Sequence, residues 1–119
     1  MKPEHTRTIH RVISTFGERN QKMQTLEELM ELQSAIFENV HRGTDNRKNI
    51  VEEIADVEIM MAQMKEVFNI KPEEIQEIQD YKLTRLNHTI DKYIKQEAEK
   101  GNTQLLDLVQ IDRETSNGH

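Results

Sequence analysis

The sequence contains no cysteine and no tryptophan, and it has only four glycines and two prolines. Without cysteine the chain can form neither a disulfide nor a thiolate metal site, which fits a reducing compartment. The few glycines do not form the glycine-rich loop that cradles phosphates. No apolar run approaches the roughly 20 residues of a membrane span, and the first residues lack the apolar segment of a signal peptide. These absences predict a soluble, cytoplasmic protein without a membrane partner.

The chain is acidic and its apolar content is low. Acidic residues outnumber basic ones by 22 to 16, which gives a formal net charge of −6. This balance argues against the non-specific phosphate affinity of a nucleic-acid-binding protein, but it leaves a nucleotide ligand possible. Hydrophobic residues make up 34% of 119 residues, enough for one domain with a thin core. We therefore expect a homo-oligomer, in which a second copy covers surface that one chain leaves open.

Apolar residues recur at helical spacing and predict an all-α fold, a bundle of four to five helices. Capping and breaking residues predict the ends of four helices: Glu4 to Phe16 with Gly17 at its end, an Asn20 N-cap to Gly43, about Arg47 to Phe68 with Asn69 left-handed, and Pro72 to just before Gly101. We assign residues 1–100 to a helical domain and residues 101–119 to a C-terminal tail. The apolar segment 105–111 of that tail is predicted to dock on the bundle or on a neighbour.

Two apolar stripes indicate which helix faces are covered. The second helix has a broad stripe, bordered by Glu28, which consists of Met23, Leu26, Leu29, Met30, Ile36, Phe37 and Val40. The third helix has a minor second stripe, which we expect another subunit to cover: Val51, Ala55, Ile59 and Ala62.

Carboxylates lie where the third helix should be apolar. At 100° per residue, Glu53 falls in the middle of an apolar arc, and Asp56 lies at its edge. The residues of this arc are Ile50, Ile54, Val57, Met60, Met61, Met64, Val67 and Phe68. An ionised carboxylate on a buried face is unfavourable unless a cation or hydrogen-bond donors compensate it. The second helix repeats the spacing with Glu28 and Glu31. Two such pairs that face one interior form an all-oxygen site for Mg²⁺, or alternatively Mn²⁺.

A basic residue also interrupts an apolar stripe on the fourth helix. Lys82 lies within that stripe and Arg85 at its border. Each residue alone has an ordinary explanation, since surface helices are rich in glutamate and long basic side chains extend from apolar faces to water. In a bundle, buried acids on two helices and a buried base on another compensate each other's charge, which explains why each lies on an apolar face.

The order and spacing of these residues resemble a known family. Phe16-Gly17 and Gln21 are followed by Glu27-Glu28-Leu29-Met30-Glu31-Leu32, and then by Glu52-Glu53-Ile54-Ala55-Asp56-Val57 and Lys82-x-x-Arg85-Leu86. This pattern is similar to the MazG-like nucleotide pyrophosphohydrolases of the all-α NTP pyrophosphatase superfamily. The resemblance covers about Ile9 to Tyr93.

The resemblance implies Mg²⁺-dependent hydrolysis of nucleoside triphosphates, NTP or dNTP, to the monophosphate and pyrophosphate. It implies a homodimer or homotetramer, with active sites formed partly at subunit contacts. Carried over by position, the catalytic metal ligands would be Glu28, Glu31, Glu53 and Asp56, and the phosphate ligands Lys82 and Arg85. Candidates for base or sugar binding are Phe16, Asn20 and Gln21.

Two other functions use similar residues. A di-iron carboxylate bundle needs two Glu-x-x-His pairs, and only Glu38 and His41 have that spacing, at the end of the second helix. A non-catalytic helical interaction module would need no metal and would give Glu53 and Lys82 no reason to face inward. Bound metal together with nucleotide-dependent stabilisation therefore separates these functions from the hydrolase.

Overall fold

The computed structural model describes residues 1–101, which form four helices and no strand. The helices are α1 (Pro3–Phe16), α2 (Glu18–Arg42), α3 (Arg47–Val67) and α4 (Pro72–Glu99). The all-α prediction is confirmed for this part of the chain. Between residues 1 and 101, no helix combines the length and the apolar character that crossing a membrane requires.

Local signals place most helix ends as predicted. Gly43 ends α2 in the left-handed region, at φ 62°. Asn69 adopts φ 52° after α3, and the Ile70 N–H donates to the Lys65 carbonyl at 2.8 Å. Pro72 starts α4, where its missing N–H has no helical partner to lose.

The predicted start of α2 at Asn20 is wrong, because α2 begins at Glu18 directly after a glycine joint. Gly17 adopts φ 89°, which an L side chain rarely tolerates. Its N–H donates to the Ile13 carbonyl at 2.8 Å, and its own carbonyl accepts the Gln21 N–H at 3.1 Å. Gly17 thus ends α1 and directly precedes α2, so that no loop connects the two helices.

The described chain divides into two compact units. The first, Met1–Lys71, contains α1, α2 and α3 packed on one another, and the second begins at Pro72 with α4. The assignment of residues 1–100 to one domain stays a prediction, and segment 105–111 lies outside the described residues. Within the first unit, α2 and α3 form a helical hairpin closed by residues 43–46.

The apolar stripe of α2 is on the outside of the first unit. Its seven residues are 41–68% exposed, whereas the buried residues of α2 are Gln21, Thr25 and Ala35. In α3 the buried residues are Met60 and Gln63. Three of these five buried residues are polar, and the expectation that the stripe is a packing face is not met within this unit.

Candidate metal centre

Four carboxylates come together in the seam between α2 and α3. Glu28, Glu31, Glu53 and Asp56 each offer one oxygen, and these oxygens lie within 4.8 Å of one another. On each helix the pair is three residues apart, so that both side chains point to the same side of the helix. The structure thus brings together the four residues that were predicted to hold a cation.

One oxygen of each inner carboxylate lacks a hydrogen-bond donor. Glu28 and Glu53 are half-buried, whereas Glu31 and Asp56 are exposed. Gln24 donates from Nε2 to Glu28 Oε1 at 3.0 Å, but Glu28 Oε2 and Glu53 Oε2 are buried without a partner. Buried polar atoms are nearly always paired, and an unpaired carboxylate oxygen is especially unfavourable. These two oxygens are the strongest indication that the seam receives a cation.

Negative charge accumulates in the cluster. The charge of Glu28, followed by that of Glu53, raises the pKa of Glu31 above its ordinary value. In the first unit, His10 pairs with Glu66, which is not a member of the cluster. The carboxylates of the cluster therefore repel one another, and a bound divalent cation would reduce this repulsion.

The raised pKa of Glu31 predicts how stability depends on pH. The folded protein holds a proton on Glu31 more tightly than the unfolded chain does, so this residue favours folding at low pH. Its contribution is lost as the pH rises from the ordinary pKa of a glutamate through the raised value. In EDTA we expect Tm to fall across this window, and Glu31→Gln to flatten the profile. An equal slope in Glu31→Gln, measured by thermal melts at a series of pH values, would contradict this expectation.

A groove of about 450 Å³ opens beside the cluster. Glu31 and Glu53 belong to the cluster and also line the groove, which continues along Ser34, Ala35 and Asn49. Its wall also includes Glu27, Met30 and Glu38, but no lysine or arginine. The groove can accept uncharged parts of a ligand, while a phosphate needs a cation to approach these carboxylates.

The other predicted site residues belong to α4 and to the segment around the joint between α1 and α2. Lys82 and Arg85 are exposed on α4 in the second unit, where the Arg85 guanidinium lies 6.0 Å from the Tyr81 ring centroid. Phe16 and Asn20 are exposed at the joint between α1 and α2, whereas Gln21 is 6% exposed. The roles of these five residues stay predictions.

Sequence reasoning missed two glutamines of the first unit. Gln63 is 2% exposed, and its Oε1 has no partner. At 100° per residue it falls about 80° from Glu53 around α3, outside the apolar arc, so helical periodicity did not predict its burial. The Gln24–Glu28 bond follows the i, i+4 spacing of helical side-chain pairs and could have been predicted.

No model of a known family matches the chain, and neither a curated protein nor a solved structure matches it.

Proposed function

We propose that this protein hydrolyses nucleoside triphosphates, NTP or dNTP, to the monophosphate and pyrophosphate, with Mg²⁺ or Mn²⁺ as cofactor. The observation that carries the proposal is the pair of buried, unpartnered oxygens of Glu28 and Glu53 inside a four-carboxylate cluster. Exposed glutamates on a helix surface satisfy their oxygens with water and need no second helix. The proposed reaction follows from the order of these residues along the chain, which resembles the order in MazG-like enzymes.

The donor set suits the proposed cofactor. Mg²⁺ and Mn²⁺ are hard cations that prefer carboxylate oxygens, and Glu28, Glu31, Glu53 and Asp56 would hold them. When bound, the cation neutralises phosphate charge and makes water a better nucleophile. The half-buried pair Glu28 and Glu53 gives the site a fixed inner wall, and the exposed pair Glu31 and Asp56 lies at its open side.

Proton transfer and phosphate binding are assigned to side chains of this protein. A carboxylate of the cluster accepts the proton of the attacking water. Lys82 and Arg85 bind the phosphates and stabilise the charge that develops in the transition state. Because hydrolysis of a phosphoanhydride depends mainly on positioning and charge neutralisation, these residue types are sufficient.

A second candidate function is a helical interaction module, which the exposed apolar stripe of α2 favours. Exposed apolar surface of this extent is typical of a binding face. The module gives no role to the unpartnered oxygens of Glu28 and Glu53, so we rank it second. The stripe itself is equally compatible with an oligomeric enzyme.

Pyrophosphate release from a panel of ribo- and deoxynucleoside triphosphates tests the proposal. Each substrate is incubated with Mg²⁺, with Mn²⁺ and with EDTA, and the monophosphate is identified by chromatography. We expect release with either cation and none in EDTA. Absence of release from every substrate, together with absence of cation binding in calorimetry, would exclude the hydrolase and favour the interaction module.

Lys82→Met separates a phosphate ligand from a side chain that only reaches solvent. Methionine keeps the length and apolar packing of the side chain and removes the charge, so folding should be retained. We expect kcat/KM to fall about a hundredfold, as when one group that stabilises transition-state charge is removed. Lys71→Met offers the same chemical change at a position outside the predicted site. Unchanged kcat/KM in Lys82→Met, measured by pyrophosphate release, would rule out this role.

A further inference from the structure

Asn46 occupies the N-cap position of α3 but does not cap that helix. An asparagine at this position ordinarily accepts a hydrogen bond from a backbone N–H in the first turn. Here the side chain makes no such bond. A residue that forgoes its usual local partner is a candidate for another task.

The side chain of Asn46 instead crosses to α2. Its Nδ2 donates to the Ala35 carbonyl at 2.9 Å, and its Oδ1 accepts a hydrogen bond from Asn39 Nδ2 at 3.3 Å. Asn39 Nδ2 also lies 3.2 Å from the Thr44 carbonyl, to which it donates. The amide thus uses both of its ends between the helices. We call Asn39 and Asn46 the asparagine clasp.

The clasp holds the part of the hairpin that adjoins the carboxylates. Ala35 is one turn from Glu31 along α2, and Asn46 is two turns from Glu53 along α3. Ala35 is only 3% exposed, so its carbonyl lies where the two helices are in close contact. Ala35 also lines the groove next to Glu31 and Glu53. A bond at this point fixes the position of one carboxylate pair relative to the other.

Apolar contact alone does not fix the register of α2 against α3. Among the buried residues of these two helices, Gln21, Thr25 and Gln63 are polar, and Ala35 and Met60 are apolar. Apolar contact is non-directional and would tolerate sliding, whereas a hydrogen bond across the helices would not. The hydrogen bonds of the clasp are therefore contacts that can hold one register.

From these observations we infer that Asn46 is the positioning residue of the cation site: through the asparagine clasp it sets the register of α2 against α3 before any cation binds. The effect of the clasp on cation affinity rests on the proposed function, whereas its effect on the register does not. The effect on the register and the effect on cation affinity can therefore be refuted independently.

Distance measurements between spin labels test the register directly. The chain has no cysteine, so Gln33→Cys on α2 and Glu58→Cys on α3, both exposed, provide the only two labelling sites. In EDTA we expect one narrow distance for the otherwise unaltered protein. Asn46→Asp and Asn46→Ala should broaden the distribution, or shift it by at least about 1.5 Å, the rise of one helical residue. Asn39→Ala removes the bonds to Asn46 and to the Thr44 carbonyl but keeps the bond between Asn46 and Ala35, so it should give a smaller change.

The aspartate variant separates register from stability. Aspartate at the N-terminus of α3 favours the helix electrostatically but cannot donate to the Ala35 carbonyl. We expect Asn46→Asp to bind Mn²⁺ about tenfold more weakly than the unaltered protein, although it adds negative charge. Asn87→Asp on α4 makes the same chemical change without touching the clasp, and it should keep both the distance and the affinity.

Unchanged distances in EDTA for both Asn46 variants would overturn the inference and leave Asn46 as a loop residue only. Because this measurement needs neither cation nor nucleotide, a protein that releases no pyrophosphate could still show the shift. Conversely, an active protein with unchanged distances would retain the proposed function and lose the clasp.

Discussion

Glu53→Gln should melt at a higher temperature than the unaltered protein in EDTA. The substitution removes one charge from the inner wall of the carboxylate cluster, where Glu53 Oε2 is buried without a donor. The glutamine amide can donate to the neighbouring carboxylates, so repulsion is replaced by hydrogen bonding. We expect a gain of about 1 kcal/mol in the free energy of unfolding, the scale of an unsatisfied buried polar group.

The same variant should lose most of its response to Mg²⁺. A cation that binds only the folded protein stabilises it by about 2.7 kcal/mol at a hundredfold excess over its Kd. With one ligand neutralised, we expect a much smaller Mg²⁺-induced rise in Tm and a fall in kcat of about a hundredfold or more. Melting curves with EDTA and with Mg²⁺, and pyrophosphate release, provide the three measurements.

Glu52→Gln is the matched control, since Glu52 is exposed and lies outside the cluster. It should change none of the three quantities. A Glu53 that is purely structural predicts the reverse pattern for Glu53→Gln. Lower stability in EDTA together with an unaltered Mg²⁺ shift would refute the metal site.

Leu26→Glu and Phe37→Glu should dissociate the protein into monomers. Both residues lie on the exposed apolar stripe of α2, at 55% and 59% exposure. At roughly 150–200 Å² for an open side chain, the seven residues present on the order of 700 Å², close to one partner's share of a standard interface. In a symmetric dimer, one substitution removes an apolar side chain from both subunits. Each variant should therefore weaken association about a thousandfold.

Light scattering at micromolar concentration measures this effect against the chain mass of 14.1 kDa. The unaltered protein should have two or four times that mass, and each variant the mass of one chain. Gln76→Glu on α4 adds the same charge outside the stripe and serves as the control. Ile59→Glu tests the second stripe of α3, which the sequence also predicted to be a subunit contact. A monomeric unaltered protein would contradict both assignments.

Helix ends and the carboxylate cluster were predictable because both depend on residues close in sequence. Gly43, Asn69 and Pro72 act through their own backbone preferences, and a spacing of three places two carboxylates on one side of a helix whatever surrounds it. The start of α2 was missed because Gly17 serves two helices at once. A glycine is expected to end a helix, but it starts one less often.

The inner face of α2 could not be predicted in the same way. Hydrophobic periodicity marks the surface that is covered in the final assembly, and it does not say whether the cover comes from the same chain. Gln21 and Thr25 are therefore buried in the hairpin while Leu26 and Phe37 are exposed. The clasp was missed for a related reason, since an asparagine just before a helix ordinarily caps that helix. The actual partner of Asn46 at Ala35 depends on how two helices meet.

The placement of all four carboxylates within Met1–Lys71 also bears on the order of folding. Glu28 and Asp56 are separated by a single hairpin with a four-residue connection, so their encounter requires only a short chain closure. Structures made of such local contacts form quickly, and a chain emerging from the ribosome folds its N-terminal part first. The carboxylate cluster can therefore assemble from the hairpin alone, before α4 has folded.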